Sequence, residues 1–215
     1  MGPIFTDRAE AGRALAQRLA RMHLAPPIVV LALPRGGVAI GAEVAQVLRG
    51  RLDLVLVRKI GVPWQPELAV AAVVDGDPPQ IVVDDEVQRL AGVERGYIEA
   101  QALRELPEIA RRRQTYLRGR AGLPLAGATA IVVDDGIATG TTMRAALKAV
   151  RRGHPARLVL AVPVAPHDAV TALRDEVDDL VCLAQPEPFR AVGLHYEDFE
   201  QVSDEDVLAA LDAAS

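Results

Sequence analysis

Asp134 and Asp135 stand side by side after the apolar run Ile131-Val132-Val133, and Gly136-Ile137-Ala138-Thr139-Gly140-Thr141-Thr142 follows them directly. Adjacent carboxylates accept hydrogen bonds from vicinal hydroxyls such as those of a sugar ring. The small and hydroxylated residues behind them lead into a helical pattern of Met143, Ala146, Leu147 and Val150. A helix N-terminus placed there offers unpaired N–H groups and a partial positive charge, which suit a phosphate. Gly136 and Gly140 let the backbone approach a ligand closely, and the hydroxyls of Thr139, Thr141 and Thr142 add donors. The two carboxylates would repel a phosphate bound alone. A ribose 5-phosphate satisfies both halves of the segment.

Other phosphate-handling and hydrolytic patterns are missing. The sequence holds no G-x-x-x-x-G-K-[ST], no G-x-G-x-x-G after an apolar run and no G-x-S-x-G. An acidic strand end before a capped helix can occur in any α/β protein, so the composite of acid pair, glycines and threonines carries the reading. A second junction of the same kind lies at Leu33-Pro34-Arg35-Gly36-Gly37, where an apolar run meets a helical pattern with two glycines and a cation. Arg58-Lys59 follows a third apolar run, which would bring both cations to the same edge of a sheet. Lys59 is one of two lysines among 24 basic residues. Arg111-Arg112-Arg113 reads as the solvated face of a charged helix, and His23, His154 and His167 form no ligand-like group.

These residues need elements to hold them. Residues 7–23 read as an amphipathic helix, capped by Thr6 and Asp7 with Glu10 at capping-box spacing. Apolar runs at 28–33, 52–57, 128–133, 157–162 and 177–183 read as buried strands, alternating with helices at 38–48, 140–151 and 168–176. Residues 68–74 and 80–83 read as further extended segments. Residues 86–118 are charged with helical apolar spacing, giving one or two helices broken near Gly92 and Pro107. From Pro186 the tail gathers Phe189, Tyr196 and Phe199 and ends in a short acidic helix at 203–211. Strands alternating with helices imply an α/β fold with a mostly parallel central sheet flanked by helices, whose ligands bind where strands end and helices begin. The expected organisation is one domain, 1–215. Its core spans about 24–183 with a helical excursion at about 85–120. A small hood is built from about 184–215 and the N-terminal helix.

Composition narrows the function classes. The 215 residues carry a net charge of -5 and a sequence pI near 5.4, which speaks against a dedicated nucleic-acid surface. The lone cysteine, Cys182, allows no internal disulfide or cysteine-rich zinc site, and its apolar setting marks a buried strand thiol. There is no basic-then-apolar leader and no run of membrane-spanning length, so a cytoplasmic protein without membrane attachment is expected. Asn is absent, Ser occurs twice, and Arg, Ala and Leu dominate, which suits a thermophile or a GC-rich genome.

The segment 132–142 resembles the signature for 5-phosphoribosyl-1-pyrophosphate (PRPP) in type I phosphoribosyltransferases: an apolar strand, two acidic residues, then a Thr/Gly-rich loop opening a helix. The resemblance implies that fold and a Mg²⁺-dependent transfer of phosphoribosyl from PRPP to a nucleobase or related nitrogen compound, with release of pyrophosphate. It implies ribose contacts for Asp134 and Asp135, which would also meet the metal indirectly through ribose hydroxyls or water. Gly136, Ile137, Ala138, Thr139, Gly140, Thr141 and Thr142 would bind ribose phosphate, with the 5-phosphate at 138–142. By the same resemblance Arg35, Gly36 and Gly37 bind pyrophosphate, joined by Arg58 and Lys59, and Arg35 belongs to the catalytic set with the acid pair. Residues 57–73 are similar to a segment of uncharacterised phosphoribosyltransferases, some associated with hydrolase domains, and Trp64 there reads as a lid, an interface contact or a packed aromatic. The stretch 188–199 is similar to the hood of purine-type enzymes, with Phe189 stacking on a base and Glu197 or Asp198 near metal and pyrophosphate. His195-Tyr196 departs from the purine pattern, so the acceptor stays open; a homodimer is compatible with the family. Two rival readings keep the loop: a PRPP- or nucleotide-sensing regulator without turnover, and an enzyme taking ribose 5-phosphate from a nucleotide.

Overall fold

A computed structural model describes residues 2–76 and 78–213. The chain forms helix α1 (Arg8–Ala20), strand β1 (Ile28–Ala32), α2 (Gly37–Leu48) and β2 (Arg51–Leu54). An antiparallel ribbon follows: β3 (Val57–Val62), β4 (Gln65–Val74) and β5 (Gln80–Val83), then α3 (Asp85–Ala91) and α4 (Arg95–Leu117). The chain returns through β6 (Thr129–Val133), α5 (Thr141–Arg151), β7 (Arg157–Val164), α6 (His167–Leu173), β8 (Asp179–Ala184) and α7 (Asp204–Ala213).

Five strands make a parallel sheet in the order β2-β1-β6-β7-β8, and β3-β4-β5 make a separate antiparallel sheet. Every residue of β6 is buried, as expected of a central strand covered on both faces. One face packs against α1, α2 and α7 through Leu15, Leu19, Ile40 and Leu211. The other packs against α5 and α6 through Met143, Leu147, Val170 and Leu173. A third, smaller core joins the ribbon to α3 and α4 through Val70, Ile98 and Ile109.

The start of α1 carries a reciprocal cap. Asp7 accepts the Glu10 N–H at 2.7 Å, and Glu10 accepts the Thr6 N–H at 2.6 Å. Three expectations need correction. The strand expected at 52–57 stops at Leu54, because β2 is an edge strand and the chain leaves it for the ribbon. Arg58 and Lys59 therefore lie inside β3 rather than directly behind a strand of the parallel sheet. The helical excursion breaks at Gly92 but not at Pro107, which sits inside α4. The missing N–H and the ring clash disfavour that position, and burial of Ile98, Ala102, Ile109, Tyr116 and Leu117 along the same helix outweighs them.

Candidate active site

The central position of β6 brings Asp134 and Asp135 to the carboxyl edge of the sheet. The end of β1 lies beside them, tied by the Leu33 N–H donating to the Val133 carbonyl at 3.0 Å. The chain then turns through a cis Pro34–Arg35 peptide into α2. Gly36 and Gly37 cross directly over the acid pair. A methyl group on Gly36 would collide with the Asp135 carboxylate, and one on Gly37 would lie 2.9 Å from both Asp134 Cα and the Val133 carbonyl oxygen. Two glycines are what this closeness demands, so the expected pyrophosphate loop and the expected ribose acids are packed into one site.

Asp134 Oδ1 accepts the Asp135 N–H at 2.9 Å. Asp135 Oδ2 accepts from Arg8 Nε at 2.8 Å, with both side chains largely buried. The Arg8 guanidinium stacks 3.8 Å over the Phe199 ring and donates from Nη1 to the Glu200 carbonyl at 2.8 Å. Burial pushes the Asp134 carboxyl well above the ordinary carboxylate range, and the Asp135 charge adds to the rise. Burial also raises Asp135, and Arg8 opposes it.

The loop after the acids leaves its donors free. Ile137 anchors it by donating to the Val164 carbonyl at 2.9 Å, and Gly140, at φ +80°, opens α5. Among the described residues, the N–H groups of residues 138–142 and the hydroxyls of Thr139, Thr141 and Thr142 have no hydrogen-bond partner. Helix α5 points this end at the site. The arrangement is a row of unpaired donors at a helix start beside two carboxylates, a setting suited to an anion next to hydroxyl groups.

Arg35 reaches across to α7, with Nη1 3.6 Å from Asp204 Oδ1. Asp204 also accepts the Tyr116 hydroxyl at 2.6 Å and lies 3.9 Å from Arg111 Nη1. The Tyr116 hydrogen bond, with Arg35 beside it, holds the Asp204 carboxyl below its usual value. Burial and Asp204 push the Tyr116 phenol up to about 12. Arg58 pairs with Glu105 at 2.7 Å and Lys59 with Glu67 at 2.7 Å, so the ribbon cations are engaged locally. Arg111 and Arg112 pair with Glu108 and Arg113 with Asp75. Trp64 stands 67% exposed at the ribbon tip.

The chain ends meet over the loop. Phe5 bridges Tyr196, Glu197 donates its N–H to the Phe5 carbonyl, and Asp198 donates its own to the Thr6 carbonyl. The Tyr196 hydroxyl donates to the Asp135 carbonyl at 2.5 Å, and Val192 packs on Gly136. Phe189 is half-buried, its ring 5.0 Å from that of His195, whose Nε2 is buried without a partner. The exposed Asp198 carboxylate accepts the Glu200 N–H at 3.1 Å and makes no contact with the acid pair. Sequence reading missed Arg8, Tyr196 as a loop contact, and Asp204. Arg8 carried no visible signal, because its partner lies 127 residues away.

No group of three or more His, Cys, Asp or Glu among the described residues could hold a metal alone. A cavity of about 500 Å³ lies elsewhere, lined by Asp53, Asp75, Arg113, Leu123 and Val150 among others, and contains none of the expected site residues. Among the described residues no helix is long and apolar enough to cross a membrane.

Residues 6–198 match the family model for the phosphoribosyl transferase domain. A Mycobacterium tuberculosis protein carrying the provisional name phosphoribosyl transferase Rv0571c is 46% identical over 211 residues, which cover 98% of this chain and 47% of that protein. The chain thus spans about half the length of the curated relatives it matches. The crystal structure of TT1426 from Thermus thermophilus is similar at TM-score 0.87 and 43% identity, covering 98% of this chain and 99% of that one. The AQ2163 protein of Aquifex aeolicus shares the fold at TM-score 0.50 and 11% identity, covering 82% of this chain and 73% of that one.

Proposed function

The chain belongs to the phosphoribosyl transferase domain family, and from that premise we propose that it transfers the phosphoribosyl group of PRPP to a nitrogen acceptor and releases pyrophosphate. One observation carries the reading. The acid pair at the end of β6 lies directly under the Gly36-Gly37 backbone and directly before the unpaired donors of residues 138–142. That clustering supports a site in which ribose hydroxyls, 5-phosphate and pyrophosphate each meet complementary groups.

In this reading Asp134 and Asp135 accept from the ribose hydroxyls, and residues 138–142 receive the 5-phosphate at the start of α5. Arg35 and the Gly36-Gly37 backbone hold the pyrophosphate, and Arg58 and Lys59 would join only by leaving Glu105 and Glu67. Bond cleavage at C1 develops positive charge on the ribose and negative charge on the leaving group, so catalysis is mainly positioning and electrostatics. The residues present fit Mg²⁺ only as an ion carried by ligand oxygens. Asp134 and Asp135 would meet it through ribose hydroxyls or water, since no protein cage exists among the described residues. Bound there, the ion would neutralise charge on the leaving pyrophosphate. Asp198 would join it only if its exposed carboxylate turned toward the site. Phe189 is available to stack on an aromatic acceptor, and the open His195-Tyr196 pattern leaves the acceptor's identity to experiment.

The test is incubation with Mg²⁺, PRPP and a panel of purine, pyrimidine and other nitrogen acceptors, followed by pyrophosphate assay. Release that depends on one acceptor supports the proposal. PRPP binding without release on any acceptor would replace it by a sensing role, and absence of binding would overturn both.

A further inference from the structure

Arg8 is the cation that closes on the acid pair, yet it belongs to none of the loops that would hold a ligand. Its side chain is 13% exposed and that of Asp135 is 14%, so this ion pair is shielded from water rather than displayed at the surface. Three contacts fix the guanidinium: the Asp135 carboxylate, the face of Phe199 and the Glu200 carbonyl. Two of them come from the C-terminal segment and the third from the strand end, while Arg8 itself opens α1. A rigidly held Arg, with its planar fork and permanent charge, orients a carboxylate in a way that a mobile surface lysine does not.

The acid pair needs such a partner. Two adjacent carboxylates in a dehydrated site resist ionising together, and an ionised, oriented carboxylate accepts from a sugar diol more strongly than a protonated one. The groups facing Asp135 are few. Asp134 adjoins it in the chain, Arg8 reaches it from α1, and the Tyr196 hydroxyl is engaged by its carbonyl oxygen. The loop after β1 presents backbone there, because Arg35 turns away to Asp204. Arg8 is therefore the sole cation, among the described residues, in contact with the pair.

We infer that Arg8 is a positioning residue for ribose recognition, which supplies the countercharge that keeps Asp135 an oriented carboxylate beside Asp134 and acts through Asp135 without touching the substrate. The inference rests on the proposed PRPP reading for its consequence, but the charge relationship stands independently of any ligand. Phe199 and Glu200 of the C-terminal segment hold this residue in place.

The experiment follows the aspartate carboxyls by carbon NMR across pH in the intact chain, for wild type, Arg8→Gln, Arg8→Lys and Phe199→Leu, alongside calorimetric titration with PRPP and Mg²⁺. Arg8→Gln should move the pair's titration upward by about one pH unit or more. It should weaken PRPP at pH 7 by about tenfold or more, with the acid limb of binding displaced in the same direction. Arg8→Lys should recover most of both effects, and Arg8→Gln with Asp135→Asn should bind no worse than Asp135→Asn alone. If Arg8→Gln does not fold, Phe199→Leu, which loosens the same guanidinium, should give a smaller upward shift. A titration that does not move, or a loss fully additive with Asp135→Asn, overturns the inference. Failure of the wild type to bind PRPP removes the proposed function while the carboxyl titration still decides the role of Arg8.

Discussion

The Tyr196 hydroxyl donates a 2.5 Å hydrogen bond to the carbonyl oxygen of Asp135, 61 residues away in sequence. It ties the C-terminal segment to the loop that holds the acid pair. Burial and the neighbouring Asp135 charge push the phenol above its ordinary value, so it stays protonated and the bond persists from acid to mildly alkaline pH. Tyr196→Phe leaves that carbonyl without its donor and should cost about 1 kcal/mol of stability. Denaturant unfolding at pH 6 and pH 9 should give the same loss, and calorimetry should find weaker PRPP binding. A variant as stable as wild type would place the carbonyl's satisfaction elsewhere.

Asp134→Asn should stabilise the fold while weakening ribose recognition. The native state holds this carboxyl above its ordinary 3.8, so folding retains a proton that the unfolded chain releases. That contribution is complete below the ordinary value and is lost as pH rises through the elevated one. The amide keeps the acceptor for the Asp135 N–H and carries no charge. Scanning calorimetry at pH 7–8 should show Tm higher by about 2–4 °C, the gap closing toward pH 3. An equal or lower Tm at pH 8 would falsify the assignment of strain to this buried charge.

Arg35 is paired with Asp204, and in the proposed function it would exchange that partner for pyrophosphate. If it serves the latter, Arg35→Gln should weaken PRPP by about ten- to a hundredfold while ribose 5-phosphate binds nearly as before. Asp204→Asn releases the guanidinium from its present partner and should leave PRPP affinity equal or higher. Equal losses for both ligands in Arg35→Gln would mean that the residue supports the loop rather than the pyrophosphate.

Gly37→Ala places a methyl group 2.9 Å from Asp134 Cα and from the Val133 carbonyl oxygen, both backbone atoms of the β6 end. Backbone cannot rotate aside, so the loop must lift from the acid pair. The expected result is loss of PRPP binding together with about 1–3 kcal/mol of stability. Binding at wild-type affinity would show that the close crossing is dispensable.

Cys182 should be chemically quiet. Burial raises its thiol to about 11, so almost no thiolate exists at pH 8. A thiol-specific reagent at that pH should modify the native protein much more slowly than the denatured chain. The thiol expected to be buried is half-buried on the edge strand β8, and equal rates would contradict even that shielding.

What the sequence determined by itself was local. Apolar runs set the parallel strands, and the Thr6-Asp7-Glu10 spacing set a cap that forms as expected. The acid pair followed by Gly and Thr marked a strand-to-helix junction with free donors, because a strand end and a helix start are consequences of neighbouring residues. Tertiary structure decided the rest. Pro107 stays inside α4 because burial along that helix outweighs its local cost, and Arg58 and Lys59 enter a ribbon where nearby carboxylates take them up. The positions of Gly36 over Asp135, Arg8 against Asp135, Tyr196 on its carbonyl and Arg35 on Asp204 depend on sheet order and on the meeting of the chain ends. Contacts between residues 61 or more positions apart leave no periodic trace in the chain. Only packing around one central strand brings their charges within reach of each other.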